Sequence, residues 1–203
     1  MWRRLRGRRG ATPLETTIVI ILFGVLLSII MPAIGLVREN ALAARCQRHL
    51  QVLGQAIEFY MSDYRYENWL PASHLSGGQH WFERLEPFVS GHEEGRAREN
   101  FVCPRAEPEQ RGFAPDTISY GWNQRFLPFG TLSNKVINHG ETIVIADSQP
   151  AEDCSVVLPA DAERPRLATR HREEAGVLFL AGNVELMTRA EAEFEWPRYW
   201  DRQ

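Results

Sequence analysis

The first hydrophobic feature of the chain is an uninterrupted apolar run near its N-terminus. Residues 18–31 carry no charge, and Ser28 is their one polar side chain. The apolar character extends from Leu14 to Leu36, with Glu15 left near its N-terminal edge. Because about 20 helical residues cross the hydrocarbon core of a bilayer, this run is long enough to span a membrane. A carboxylate at that depth is costly unless another group pairs with it, so Glu15 requires an explanation.

Beyond Pro32 the hydrophobic pattern becomes amphipathic. Apolar residues recur there at steps of three and four, which is one stripe of a helix with 3.6 residues per turn. We therefore predict one helix from about Leu14 to about Tyr64, with a membrane-spanning half at residues 11–36 and an amphipathic half at residues 37–67. The stripe consists of Leu42, Cys46, Leu50, Leu53, Ile57, Tyr60 and Tyr64.

The remaining residues, 68–203, form short segments separated by glycine, proline and asparagine. The apolar run Glu141–Asp147 predicts a buried strand. Val177–Leu180 and Val184–Met187 predict two more strands, joined by a hairpin turn in which Gly182 can adopt a positive φ. Strands that follow one long helix indicate an α+β fold, in which a small antiparallel sheet covers the apolar stripe of the helix.

The rest of residues 68–203 gives weaker patterns. A short helix is predicted at Gln79–Leu85, and the polar segments Gly91–Asn100 and Glu107–Gly112 predict loops. The C-terminal tail has two interpretations. It is a flap that closes the sheet, or it is a contact patch for a neighbouring subunit, since aromatic residues concentrate at interface hot spots. The aromatic residues of the tail are Phe194, Trp196, Tyr199 and Trp200.

The charge distribution predicts how the apolar run is oriented across the membrane. The first ten residues carry five arginines and no acidic residue, although the whole chain has a formal charge of −3. Because positive residues favour the cytoplasmic side, we expect the N-terminus in the cytoplasm and residues 68–203 in the periplasm or outside the cell. Without those five arginines no basic patch remains that would suggest nucleic-acid binding. A plain signal anchor is one interpretation of this arrangement.

The order of features around the run supports a second interpretation. The arginines precede Gly10, four residues follow, and Glu15 then opens the apolar run. This order resembles the processing motif of type IV prepilins and type II secretion pseudopilins. The resemblance implies that a prepilin peptidase removes residues 1–10 by cleaving after Gly10 and methylates the new N-terminus at Ala11. It also implies that Ala11 and Glu15 act in filament assembly, and that Pro32 kinks the helix, as a proline inside a helix can.

The chain departs from that motif in two places. The first mature residue is usually phenylalanine and is Ala11 here. The usual Thr-Leu-Ile-Glu sequence is replaced by Thr12, Pro13, Leu14 and Glu15. Proline is tolerated in the first turn of a helix, so Pro13 is compatible with the predicted helix. The departures bear on the methylation of the N-terminus and on the efficiency of cleavage.

Further segments resemble, in the same order, bacterial prepilin-like proteins that carry a C-terminal H-x9-DG signature. The segment Cys46–Tyr64 is similar to the amphipathic helix of those proteins. Arg170 and His171 match the start of the signature, and Ala181 and Gly182 stand where the family has its Asp-Gly pair, so the family aspartate is alanine here. The resemblance extends over residues 10–187. Its other pieces are WFERL at 81–85, FVCP at 101–104 and SYGWN at 119–123.

The three cysteines leave two interpretations open. No C-x-x-C spacing occurs, and a zinc site usually shows compact ligand spacing, so the sequence predicts no metal site. Thiols outside the cytoplasm tend to pair, which makes Cys46–Cys103 a candidate disulfide between the helix stripe and the family's Cys-Pro element. The alternative is that all three cysteines are small buried apolar residues. Cys154 is left over from the candidate pair.

The sequence offers no catalytic motif. It has no glycine-rich phosphate loop, no G-x-S-x-G and no H-E-x-x-H. In the resembling family a His and an Asp ten residues apart could form a ligand pair or an acid–base pair, but Ala181 removes that aspartate. We therefore expect His171 to have a structural role, such as a hydrogen bond to the hairpin that follows it. We expect neither an enzyme nor a cofactor.

These patterns and the resemblance together imply a structural subunit, a pseudopilin or minor pilin of the inner membrane. Its expected partners are a prepilin peptidase, membrane lipid, and other pilin or pseudopilin subunits that pack through the N-terminal helix. The competing hypothesis is a monomeric, membrane-anchored extracytoplasmic binding module or enzyme that retains its leader. The mature N-terminus separates the two.

Overall fold

The fold is seen in a computed structural model that describes residues 12–63, 65–71, 80–89, 96–114, 117–123, 126, 133–149, 155–156 and 167–194. The chain divides into two compact units, residues 1–40 and 41–203. The helices are α1 (Pro13–Ser62), α2 (Trp81–Leu85), α3 (Arg96–Glu99) and α4 (Arg189–Phe194). The strands are β1 (Tyr120–Asn123), β2 (Ile143–Asp147), β3 (Ser155–Val156), β4 (Glu174–Phe179) and β5 (Val184–Thr188).

Helix α1 confirms the predicted long helix and begins with a capping box. The backbone N–H of Thr12 donates to Oε2 of Glu15 at 2.7 Å, and the N–H of Glu15 donates to Oγ1 of Thr12 at 3.3 Å. Pro13 takes the first helical position, where its missing N–H would have no partner in any case. The carboxylate of Glu15 therefore has a local role at the helix N-terminus, which the sequence analysis did not recognise. The helix continues through Pro32, and the kink at Pro32 stays a prediction.

The N-terminal part of α1 is long and apolar enough to cross a membrane, and none of its most apolar segment is buried within the protein. Leu14 is 71% exposed and Phe23 is 62% exposed. Large apolar side chains left uncovered over such a length mark a surface that meets lipid or another protein. The structure thus agrees with a single membrane-spanning segment.

The C-terminal part of α1 packs on the sheet, as the amphipathic stripe predicts. Two glycines allow this close approach. A Cβ atom on Gly54 would lie 3.1 Å from Cδ1 of Leu178, and one on Gly176 would lie 2.9 Å from Cδ1 of Leu50. The predicted stripe residues that are buried, each at most 2% exposed, are Cys46, Leu50, Leu53, Ile57 and Tyr60.

The sheet has the order β3-β1-β2-β4-β5. Strands β1, β2, β4 and β5 pair in antiparallel fashion, which confirms the predicted α+β class. The two-residue strand β3 pairs in parallel with β1 and was not predicted. Gly182 has a φ of +87° in the turn between β4 and β5, as expected for that hairpin.

The sheet is covered on both faces. One core joins the stripe of α1 to an aromatic cluster that includes Trp81 and Trp122, whose ring centroids are 5.6 Å apart. A second core contains Val177 and Phe179 of β4 together with Ala192 of α4. Because β2 and β4 are buried on both faces, their sequences read as continuous apolar runs rather than as alternating patterns.

Several element predictions need correction. Residues 96–99 form α3 inside a segment predicted to be a loop, and Pro108–Gln110 form a short 3-10 turn inside the other predicted loop. Strand β1 and helix α4 were not predicted. Polar surface residues carry little hydrophobic periodicity, so short surface helices escape a pattern-based prediction. Gly10, Ala11, Tyr64, Cys154, Trp196, Tyr199 and Trp200 lie outside the described residues, as does the side chain of Phe194.

Candidate functional site

Four side chains with metal-binding or nucleophilic chemistry meet between α1 and the sheet. Cys46 comes from α1, Cys103 from the loop after α3, Asp147 from the last position of β2, and His171 from the turn before β4. One donor atom from each residue lies within 4.8 Å of the donor atoms of the other three. All four residues are buried, with exposed fractions of 0–3%. We call these four residues the buried cluster.

The two cysteines of the buried cluster have different neighbours. Sγ of Cys46 lies 3.2 Å from the hydroxyl of Tyr120 and 3.5 Å from Oδ2 of Asp147. Sγ of Cys103 lies 3.3 Å from Nε2 of His171. The backbone N–H of Cys103 donates to Oγ of Ser119 at 2.9 Å, which fixes this loop against the residue that precedes β1. Both cysteines are free thiols in the structure.

Asp147 is the one acidic residue of the buried cluster, and each of its oxygens has a partner. Oδ1 accepts from Nη1 of Arg170 at 3.1 Å. Oδ2 accepts from the backbone N–H of Gly176 at 2.9 Å and lies 3.7 Å from Nε2 of His171. A buried carboxylate needs such partners, because an unpaired buried ion is strongly destabilising.

Arg170 holds Asp147 in place from a part-buried position. Beyond its ion pair with Asp147, Nη1 donates to the carbonyl of Ser119 at 3.1 Å. Nη2 donates to Oε1 of Gln110 at 2.9 Å and to the carbonyl of Ser148 at 2.6 Å. The planar fork of a guanidinium suits several acceptors at once, so Arg170 joins three chain segments around the buried cluster.

Burial and mutual contacts shift the pKa values of the buried cluster. Burial, together with a thiolate at Cys103, raises the pKa of Asp147 to about 7, against the opposing effect of Arg170. Contact with Cys46 lowers the pKa of Cys103 to about 4, with His171 contributing. The pKa of Cys46 is raised, first by its contact with Cys103 and then by burial. Burial alone would lower the pKa of His171, but its contacts with Cys103 and Asp147 raise it. The pKa values of the two cysteines are thus shifted in opposite directions, upward for Cys46 and downward for Cys103.

The geometry does not match a cysteine–histidine–aspartate catalytic triad. In such a triad the imidazole contacts the nucleophile through one nitrogen and the carboxylate through the other. Here Nε2 of His171 faces both Cys103 and Asp147, and Nδ1 has no hydrogen-bond partner among the described residues. Instead, one donor atom from each of the four residues lies within 4.8 Å of the donor atoms of the other three. Their types, two sulfurs, one imidazole nitrogen and one carboxylate oxygen, are those that bind transition metals.

A groove of about 560 Å³ adjoins the buried cluster, and Cys103 is among its lining residues. Arg98 on its wall donates to Glu86 at 2.6 Å, and Arg111 donates to the carbonyl of Ala106 at 2.8 Å. These two guanidinium groups are thus already engaged in structural contacts. The groove approaches the buried cluster from the side of Cys103.

The structure brings together some of the residues predicted as a site and separates others. Cys46 and Cys103 do meet, as free thiols, so their disulfide stays a prediction. His171 belongs to the buried cluster and Arg170 contacts it through Asp147. The side chain of His171 contacts Cys103, and its backbone exchanges two hydrogen bonds of 3.0 Å with Glu174 at the start of β4. The hairpin of β4 and β5 contains the other two signature residues, Ala181 and Gly182, in its turn.

Sequence reasoning missed Asp147 and Tyr120 as neighbours of the two cysteines. One signal was available, because Asp147 ends the apolar run of β2 and an acidic residue so placed is a candidate for burial. The expectation of no metal site relied on cysteine spacing, which cannot report ligands from four separate segments. No protein-family model, curated protein or solved structure matches this chain.

Proposed function

We propose that this chain is a prepilin-like structural subunit, a pseudopilin or minor pilin that is cleaved after Gly10 and assembles into a filament through its N-terminal helix. The observation that carries the proposal is the continuous helix α1. Its N-terminal part is apolar and uncovered, while its C-terminal stripe is buried in an α+β domain. A subunit that leaves the bilayer for a filament core needs such an uncovered apolar segment to pack against its neighbours.

The capping box at Thr12 and Glu15 fits this proposal. After cleavage Ala11 would carry the new ammonium group, close in sequence to a carboxylate that already organises the helix N-terminus. In a filament the carboxylate of one subunit would pair with the ammonium group of a neighbour, which would offset the cost of burying both charges. The side chain of Glu15 would thus cap its own helix before assembly and pair with a neighbouring subunit after assembly.

The proposed location is the inner membrane, with the N-terminus in the cytoplasm and residues 41–203 on the opposite side. The five arginines of the first ten residues support this orientation. The proposed partners are a prepilin peptidase and other pilin or pseudopilin subunits. The membrane assignment itself rests on the length and apolar character of α1.

The mature N-terminus tests the proposal. The full chain is expressed with a prepilin peptidase, extracted from the membrane and measured by intact mass. The expected product starts at Ala11. Gly10→Val should block cleavage, because a side chain there obstructs the backbone's entry into the protease, whereas the matched variant Gly7→Val should be processed normally. An uncleaved wild-type chain beside a working peptidase would refute the proposal and favour an anchored binding module or enzyme that keeps its leader.

A further inference from the structure

We propose that the buried cluster is a structural zinc site, in which Cys46, Cys103, His171 and Asp147 bind one Zn²⁺ through two sulfurs, Nε2 and Oδ2. The proposal does not rest on the filament function, because all four residues belong to the unit formed by residues 41–203. A site of this kind would link α1, the sheet and two loops through one ion.

The spacing of the donor atoms fits tetrahedral zinc. Zn–S bonds of about 2.3 Å and Zn–N or Zn–O bonds of about 2.0–2.2 Å place neighbouring donor atoms about 3.3–3.8 Å apart. Three of the six separations fall in this range: 3.3 Å between Cys103 Sγ and His171 Nε2, 3.5 Å between Cys46 Sγ and Asp147 Oδ2, and 3.7 Å between His171 Nε2 and Asp147 Oδ2. The other three separations are at most 4.8 Å.

The charges of the site balance when zinc is bound. Two thiolates and one carboxylate supply three negative charges, while Zn²⁺ and the Arg170 guanidinium supply three positive charges. A buried group of ions is stable only when its charges are compensated. Arg170 contacts Oδ1 of Asp147, whereas Oδ2 lies 3.5 Å from Sγ of Cys46 and 3.7 Å from Nε2 of His171.

Two of the donor atoms have neighbours of the kind that orient the ligands of a metal site, whereas Nδ1 of His171 has no hydrogen-bond partner among the described residues. The N–H of Gly176 orients Oδ2 of Asp147 at 2.9 Å, and Tyr120 contacts the sulfur of Cys46 at 3.2 Å. The groove that Cys103 helps to line adjoins the proposed site. Four protein ligands fill a tetrahedron and leave no position for substrate, which is typical of a structural site.

A disulfide between Cys46 and Cys103 is the competing outcome, because their sulfur atoms lie within 4.8 Å of each other. A disulfide has an S–S distance of about 2.05 Å and removes both thiolates from the ligand set, so the two states exclude each other. Zinc uses all four side chains of the buried cluster, whereas a disulfide leaves the convergence of His171 and Asp147 on the same point unexplained. This difference favours zinc.

Metal analysis of the full-length chain in detergent tests the proposal. The protein is purified without a metal-affinity tag, dialysed against metal-free buffer and measured by elemental mass spectrometry, with about one zinc per chain expected for a four-ligand site. Cys103→Ser and His171→Gln should each reduce the zinc content at least tenfold. Cys154→Ser, the control for loss of a cysteine outside the ligand set, should retain full zinc content.

Replacing zinc with Co²⁺ in the wild-type protein tests the site even if the ligand variants fail to fold. Wild-type protein reconstituted with Co²⁺ should show the visible absorption of tetrahedral cobalt and a sulfur-to-cobalt charge-transfer band. Metal-free protein with free thiols, or a Cys46–Cys103 disulfide found by unreduced peptide mapping of the isolated protein, would overturn the proposal. Zinc that persists in both ligand variants would also overturn it. The leader-retaining Gly10→Val chain should bind zinc normally, so this result is independent of the filament proposal.

Discussion

We predict that Gly176→Ala destabilises the protein, because α1 approaches the sheet closely at Gly176. A Cβ atom at this position would lie 2.9 Å from Cδ1 of Leu50 and 3.2 Å from both Oδ2 of Asp147 and Sγ of Cys46. Leu50, Asp147 and Cys46 are all 0% exposed, so none of them can move into solvent to make room. The added methyl group must push α1 from the sheet or force a side chain from its preferred rotamer.

The expected magnitude follows from two opposing effects. Overpacking a well-filled core costs about 1–3 kcal/mol. Replacing glycine with alanine also reduces the entropy of the unfolded chain, which returns about 0.4–1 kcal/mol. A net loss of about 1–2 kcal/mol in unfolding free energy is expected. For a chain of this size each kcal/mol lowers the melting temperature by about 2–4 °C, so the shift should be about 2–8 °C.

Chemical and thermal unfolding of the full chain in detergent measures this effect. Gly140→Ala is the matched control, because the nearest atom to its added Cβ would lie 4.0 Å away and its φ is not positive. That variant should unfold like wild type or slightly above it. Leu50→Val should relieve the Gly176→Ala clash, so the double variant should lose less stability than the sum of the single variants. Additive losses, or a Gly176→Ala chain as stable as wild type, would contradict the packing argument.

Three further predictions concern charged and titratable groups. Arg170→Met should lower the unfolding free energy by about 3–5 kcal/mol, because it leaves the buried carboxylate of Asp147 without its ion pair, and urea unfolding should show a smaller loss for Arg170→Lys. Glu15→Gln keeps an acceptor for the helix cap but removes the charge, so both Glu15→Gln and Glu15→Leu should insert and be cleaved normally yet fail to enter sheared filaments. Incorporation of the Gln variant alone would assign Glu15 to the cap rather than to intersubunit pairing. Burial lowers the pKa of His49 below its ordinary value of 6.5, so the unfolded chain takes up the proton first and stability should fall as the pH drops below about 6.5. Unfolding free energies at pH 7.5 and 5.5 should differ less in His49→Gln than in wild type.

The sequence alone determined the elements whose signal is local. The helix was predictable because its apolar residues recur with a 3.6-residue period from Leu42 to Tyr60. The length and composition of its N-terminal part showed that it is long and apolar enough to span a membrane. The strand at Ile143–Asp147 and the hairpin around Gly182 were predictable because apolar runs and turn residues adjoin each other in the chain. The capping box at Thr12 and Glu15 was equally local, and its Thr-x-x-Glu spacing was there to be recognised.

Only the tertiary structure decided which polar side chains share a buried position. Cys46, Cys103, Asp147 and His171 are far apart along the chain and belong to one helix, two loops and one strand. Their meeting depends on the register of β2 and β4, on the rotation of α1 over the sheet, and on the missing side chain at Gly176. A one-residue shift in strand register would turn Asp147 to the opposite face of the sheet. Hydrophobic periodicity within one segment does not show how distant segments are aligned with each other. The residues of the buried cluster could therefore be identified only from the packed structure.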